Sequence, residues 1–161
     1  MEVGDKILDL GCGTGQLIAE YFIKLGYNVT GIDSSSQFIE KAKNRLPHGT
    51  FFIADMRNLS INTKFNLIIA WNSFFHLNYD DQRQMFITFS KHLQDNGMLL
   101  FTTGPEHRET WRNNGGENLY HASLSVEEYK TLLQRHKFKL VTYKIADINC
   151  HDHSVWLARK I

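Results

Sequence analysis

At 161 residues, 42% of them hydrophobic and 22% charged, the chain is long enough for one sizeable core and reads as a single domain over 1–161. Eighteen basic residues against seventeen acidic ones leave a formal charge of +1, with no basic stripe and no acidic run, which argues against a nucleic-acid surface. No apolar run approaches a membrane span, Met1 leads at once into "EVGDK" without a leader pattern, and Cys12 and Cys150 are too few for a disulfide framework, so a cytoplasmic protein without a membrane segment is expected.

In chain order, "KILDL" (6–10) is a short apolar run between Asp5 and Gly11 and predicts a buried strand. "GQLIAEYFIKLG" (15–26) sets Leu17, Ile18, Tyr21, Phe22 and Leu25 at helical spacing and stops at Gly26. "NVTGID" (28–33) is a second strand. "SSSQFIEKAKNRL" (34–46) is a helix ending before Pro47, with Ser34 and Gln37 at capping-box spacing. "TFFIAD" (50–55) and the more apolar "FNLIIAW" (65–71) are the third and fourth strands, the fourth placed centrally. "DDQRQMFITFSKHL" (80–93) is a helix closed by "DNG", and "MLLFTT" (98–103) is a fifth strand. The stretch from Gly104 to Ser123 reads as a loop. "SVEEYKTLLQRHK" (125–137) is a helix with Ser125 and Glu128 as its box, and "KLVTYKIA" and "SVWLAR" close the chain as two strands.

Strands alternating with helices give a parallel sheet covered on both faces. The last connection is too short for a crossover helix, so the final two strands pair antiparallel. Ligands of such doubly wound sheets bind beyond the carboxyl ends of the strands, where "GCGTG" lies. Gly11, Gly13 and Gly15 sit between a strand and a helix, a place where free backbone N–H groups can face an anion or a strong acceptor. The third glycine comes one residue earlier than in the G-x-G-x-x-G fingerprint of dinucleotide proteins. Asp33, ending the second strand, is an acid where a ribose diol is held. A tight turn without a ligand is the alternative for the glycines. "NCHDH" (149–153) crowds four candidate ligands too closely for the separated pairs of a zinc site and reads as a polar turn, so no metal site is expected. Cys12 fits as a small side chain of the loop rather than a nucleophile. No G-x-S-x-G elbow and no Walker loop occur.

The successive stretches "LDLGCGTG", "GIDSS", "FIADMRNL" and "FNLIIAWNSFFHL" resemble, in order, the motifs of the class I S-adenosylmethionine-dependent methyltransferases, and the downstream segments resemble a subgroup of small bacterial members. The resemblance implies a Rossmann-like three-layer α/β sandwich, with a seven-stranded sheet in the order 3-2-1-4-5-7-6 and strand seven antiparallel. It implies S-adenosyl-L-methionine as cofactor, S-adenosyl-L-homocysteine as product, and methyl transfer to an oxygen or nitrogen of a small molecule. Carried over to this sequence, Gly11, Gly13, Thr14 and Gly15 pass beside the cofactor, and Asp9 steadies its methionine end. Asp33, with Ser34 beside it, takes the ribose hydroxyls, Asp55 the adenine amine, and the Met56 N–H a ring nitrogen. Ala70 and Trp71 line the methionine end, although Asp55 also suits a helix cap and Trp71 mere packing. Phe75, His76, Tyr120 and His121 are the substrate-side candidates, with His76 as base or orienter, or else a loop histidine bonded to backbone. A cofactor-binding protein without activity and a dinucleotide-dependent oxidoreductase are the alternatives.

Members of the family carry helices ahead of the first strand, which here begins at Lys6. A shortened form, or cover supplied by a partner or a second copy, is therefore expected. Trp71, Phe74 and Phe75 are the side chains expected on the uncovered surface, through which the chain either self-associates or, left uncovered, binds cofactor weakly and gains affinity when extended upstream.

Overall fold

The computed structural model describes residues 1–161, apart from the side chains of Asn114 and Glu117. A central sheet is built from β1 (Lys6–Leu10), β2 (Asn28–Asp33), β3 (Thr50–Ile53), β4 (Phe65–Ala70), β5 (Leu93–Thr103), β8 (Phe138–Asp147) and β9 (His153–Lys160). Its order is β3-β2-β1-β4-β5-β9-β8, and β9 runs antiparallel to both neighbours. The doubly wound sheet and its reversed strand are therefore those expected, with two further strands inserted before the final pair.

The central strands β1 and β4 are near-continuous apolar runs because both faces are buried. Strand alternation divides them cleanly. Ile7, Leu67 and Ile69 join the core beneath α1 (Ile18–Lys24) and α2 (Ser36–Arg45). Leu8, Leu10, Ile68 and Ala70 face the larger core beneath α3 (Tyr79–His92) and α4 (Val126–Arg135). That core holds a nest of aromatic rings, in which Phe101 stacks on Trp156 at 5.6 Å and Phe74 meets Phe86, Phe89 and Tyr129.

The starts of α2, α3 and α4 follow side-chain capping, whereas Leu17 at the head of α1 makes no side-chain cap bond. Asn78 accepts from the Asp81 N–H and Ser125 from the Glu128 N–H, as the Ser125 box predicts. The cap of α2 falls one residue later than the sequence suggests. Ser35, not Ser34, accepts from the Phe38 N–H, because the Asp33 carboxylate holds the Ser35 N–H and sets where the turn begins.

Residues 104–123 are not a loop. They form the hairpin β6 (Arg108–Asn114) and β7 (Glu117–Ser123), turning on Gly115 and Gly116, both at positive φ as such a two-residue turn requires. A buried network ties the base of this hairpin to the helices. The Gln82 amide donates to the carbonyls of Leu77 and Ala122, and the Tyr129 hydroxyl donates to Gln82 and accepts from the Leu124 N–H. Gln82→Ala strands several of these buried groups at once. It is expected to lower the unfolding free energy by about 2–4 kcal/mol, read from the urea midpoint. An unchanged midpoint would mean that the network contributes no stability.

Phe74 and Phe75 are buried rather than exposed, and Trp71 is half-buried. The 3₁₀ turn Phe74–His76 carries Phe74 into the aromatic core and Phe75 against His121 of β7, so the expected self-association surface does not form from these side chains. The exposed apolar side chains near the N-terminus are instead Met1, Val3, Leu17, Tyr21 and Leu25. Among the described residues, no helix is long and apolar enough to cross a membrane.

Candidate functional site

A groove of about 820 Å³ runs over the carboxyl ends of β1, β2 and β3 and beneath the hairpin. Gly11, Gly13, Asp33, Ser34, Asp55, Met56, His76 and Tyr120 of the expected set line it. Asp9 and Trp71 lie with Gly11 around a smaller recess of about 250 Å³ at one end, and Phe75 and His121 face a third cavity of about 260 Å³. Thr14, Gly15 and Ala70 line none of these. Ala70 is fully buried in the core. Gly15 is a packing residue, since a Cβ there would stand 2.8 Å from the Leu46 side chain at a φ of +72°.

The glycine loop works differently from the expectation of outward N–H groups. The Gly11 and Cys12 N–H groups both donate to the Ile32 carbonyl, Gly13 donates to Asp33 Oδ2 at 3.0 Å, and Gly15 donates to the Cys12 carbonyl. These donors are spent within the protein. What the glycines supply is conformation and room. At Gly11, φ is +73° and an added Cβ would lie 2.4 Å from the Ser73 Cβ. Ser73 is drawn in because its hydroxyl donates to the Leu10 carbonyl at 2.6 Å.

Asp33 is fixed by two backbone donors, Gly13 to Oδ2 and Ser35 to Oδ1. Its carboxylate sits at the groove floor with lone pairs left over. Asp55 fulfils the cap alternative: it heads the 3₁₀ turn Met56–Asn58 and accepts from the Arg57 N–H. The Arg57 guanidinium also grips it at 2.5–3.0 Å and reaches Asp81 at 3.2 Å. The Arg57 bonds hold the Asp55 carboxyl below its usual range.

Asp9 is 3% exposed, and its Oδ2 has no hydrogen-bond partner. Burial first, and the nearby Asp33 charge second, push its pKa up to about 7. A carboxyl whose folded pKa is raised favours folding below its unfolded value and loses that contribution as pH climbs through the folded value. The ionised Asp9 is thus a burden above neutrality, of order 4 kcal/mol. Asp9→Asn is expected to raise the thermal midpoint by several degrees more at about pH 8 than at about pH 5. An equal shift at both pH values would show that Asp9 does not titrate in this window.

His76 is exposed on the groove wall, with Nδ1 2.8 Å from the Tyr120 carbonyl. A carbonyl only accepts, so Nδ1 carries the proton and Nε2 keeps its lone pair in the neutral ring. The rings of His76 and His121 meet at 4.6 Å, and burial lowers the His121 pKa. Among the groove residues to which the sequence assigns no role are Arg57, Asn72, Ser73 and Trp111. Asn72 holds a positive φ of 52° while its N–H donates to Thr102, and Ser73, Arg57 and Trp111 also line the wall. Asn72 and Ser73 lie inside the stretch "FNLIIAWNSFFHL", directly after Trp71, so their position was the available signal.

A family model described as "Methyltransferase domain" matches residues 7–97. An uncharacterized methyltransferase of Oceanobacillus iheyensis is 33% identical over 98 residues, covering 60% of this chain and 46% of that protein. A malonyl-[acyl-carrier protein] O-methyltransferase of Bacillus cytotoxicus is 36% identical over 102 residues, covering 61% of this chain and 35% of that protein. The chain thus spans less than half the length of these relatives. A crystal structure of a SAM-dependent methyltransferase from Methanosarcina mazei superposes with a TM-score of 0.85 at 18% identity, covering 100% of this chain and 94% of that one, a likeness of fold.

Proposed function

Because the chain belongs to the methyltransferase-domain family, we propose that it transfers the methyl group of S-adenosyl-L-methionine to an oxygen or nitrogen of a small-molecule acceptor. The observation that carries this is the groove's sequence of polar anchors. Asp33 stands at its floor, held by the Gly13 N–H, the turn Asp55–Met56 lies to one side, and the unpartnered Asp9 Oδ2 lies beyond Gly11. That set suits a nucleoside diol, a purine edge and an ammonium group. An ammonium group is the partner that a buried, unpaired carboxylate lacks.

When bound, the cofactor supplies a methyl group on an already activated sulfonium leaving group. The protein's work is to orient the acceptor, and placement of this kind is worth about 7–11 kcal/mol. The Nδ1–H bond to the Tyr120 carbonyl aims His76 Nε2 to receive the acceptor's proton. His76→Ala is therefore expected to lower turnover on the order of a hundredfold while leaving cofactor affinity within a few-fold. Equal losses in both would make the residue structural.

The cavity sizes and the even charge favour a small molecule over a nucleic acid as acceptor. Calorimetry with S-adenosyl-L-homocysteine and with NAD tests the reading. Binding of the first alone supports it, and preference for NAD or silence toward both overturns it. Methyl release across a panel of acceptors then separates an enzyme from an inactive binder.

A further inference from the structure

We propose that the acceptor is held through an anionic group, a phosphate or a carboxylate, in the cleft on the other side of the hairpin from the groove. This rests on the methyl-transfer proposal, because it makes the cleft the acceptor's half of one composite site.

The hairpin is the partition. Its strand alternation sends Trp111 and Tyr120, a directly opposed pair whose rings meet at 5.3 Å, to the groove. The same alternation sends Arg108, Thr110 and Arg112 to the cleft, with His121 opposite Thr110. The far wall is the turn between β8 and β9, which contributes His151, together with His153 at the start of β9. The cleft of about 260 Å³ thus gathers two guanidiniums and three imidazoles against two carboxylates, Glu106 and Asp152. Among the described residues, neither Arg108 nor Arg112 has a carboxylate within ion-pair distance, whereas Arg57 and Arg83 are each tied to two. A guanidinium fork left without a partner in a concave wall matches the paired oxygens of a carboxylate or phosphate.

Two further observations point to the same place. His153 Nδ1 is buried with no hydrogen-bond partner, so the wall holds an unmet polar atom. His151 and Asp152 are consecutive non-glycine residues at φ of 55° and 59°, a left-handed pair that the chain maintains at a cost. That turn is what swings His153 against Phe75, 4.9 Å between rings, while His121 stacks on the same ring at 5.2 Å. The contact of His121 with His76 then joins cleft to groove, so an anion beside the arginines leaves the rest of a small acceptor reaching toward His76 Nε2.

The test titrates inorganic phosphate and, separately, acetate into the protein saturated with S-adenosyl-L-homocysteine, with chloride as the ionic-strength control. Binding is followed by the imidazole NMR signals of His121 and His153. Saturable shifts with phosphate or acetate but not chloride are expected, and the tighter of the two anions names the source. The double variant Arg108→Gln, Arg112→Gln is expected to weaken that binding by about tenfold or more, with Arg112→Lys, which keeps the charge and loses the fork, in between. Both residues lie outside the groove, so the S-adenosyl-L-homocysteine isotherm should not move. Chloride-like behaviour of both anions, or full anion binding by the double variant, overturns the proposal. The cofactor isotherm is read independently, so loss of the methyl-transfer reading shows as absent S-adenosyl-L-homocysteine binding whatever the anions do.

Discussion

Asp33→Ala is expected to weaken S-adenosyl-L-homocysteine binding by about two to three orders of magnitude. The carboxylate already accepts from Gly13 and Ser35, which fixes it at the groove floor without using all its lone pairs. A ribose diol arriving there gains two charge-assisted bonds, each worth about 1.5–3 kcal/mol, to a group whose position is settled beforehand. Alanine removes those bonds and also frees the Gly13 N–H, so the loop loses its anchor. The second effect shows in unfolding as a loss of about 1–2 kcal/mol, and calorimetry below the melting range separates it from the first. Asp33→Asn sharpens the test, because its NH₂ group must face either a backbone donor or a ribose hydroxyl that the carboxylate would have accepted. Binding by the alanine variant within tenfold of wild type would move the ribose elsewhere in the groove.

Much of this architecture was legible in the residues. Uninterrupted apolar runs such as "FNLIIAW" have one stable home, a parallel strand covered on both faces, and strand segments alternating with helical periods leave little freedom in topology. The hairpin was not legible in the same way, because its alternation is not apolar against polar. Arg108, Thr110 and Arg112 alternate with Glu109, Trp111 and Asn113, since both faces of the ribbon border cavities rather than a core. The adjacent glycines at 115–116 were the available signal. Phe74 and Phe75 look uncovered directly after a strand, but Phe74 turns into the aromatic core against Phe86, Phe89 and Phe101, and Phe75 is covered by His121 of the hairpin and by His153.

The groove and the cleft differ in the same respect. Asp9, Gly11, Gly13, Asp33 and Asp55 lie at the ends of consecutive parallel strands, so local motifs place them together. Arg112, His121 and His153 meet only because β9 pairs with β5 and the hairpin folds back across the strand ends, contacts that no short window contains. The glycine loop teaches a further point. Its spacing points to a ligand, and the structure sets Gly11 and Gly13 beside a groove, yet the loop's N–H groups serve Ile32, Asp33 and Cys12. Glycine is required there by a close approach of protein to protein.

That distinction gives Gly11→Ala its expected outcome. The new Cβ would stand 2.4 Å from the Ser73 Cβ and 3.0 Å from its Oγ, at a φ that already penalises any side chain. Ser73 cannot withdraw without giving up its 2.6 Å bond to the Leu10 carbonyl, and it is itself buried. The loss is expected to be about 3 kcal/mol or more in urea unfolding, with S-adenosyl-L-homocysteine binding abolished, since Gly11 and Ser73 share the groove wall. Ser73→Gly alone is expected to cost about 1 kcal/mol for the lost hydrogen bond. If the clash is the cause, the double variant is more stable than the sum of the single losses by about 1–2 kcal/mol, because the second substitution removes both atoms that the first one strikes. The backbone penalty at residue 11 persists in the double variant and keeps it below wild type. Additive losses would show instead that Gly11 is needed for its dihedral angle alone, and that the contact with Ser73 relaxes without cost.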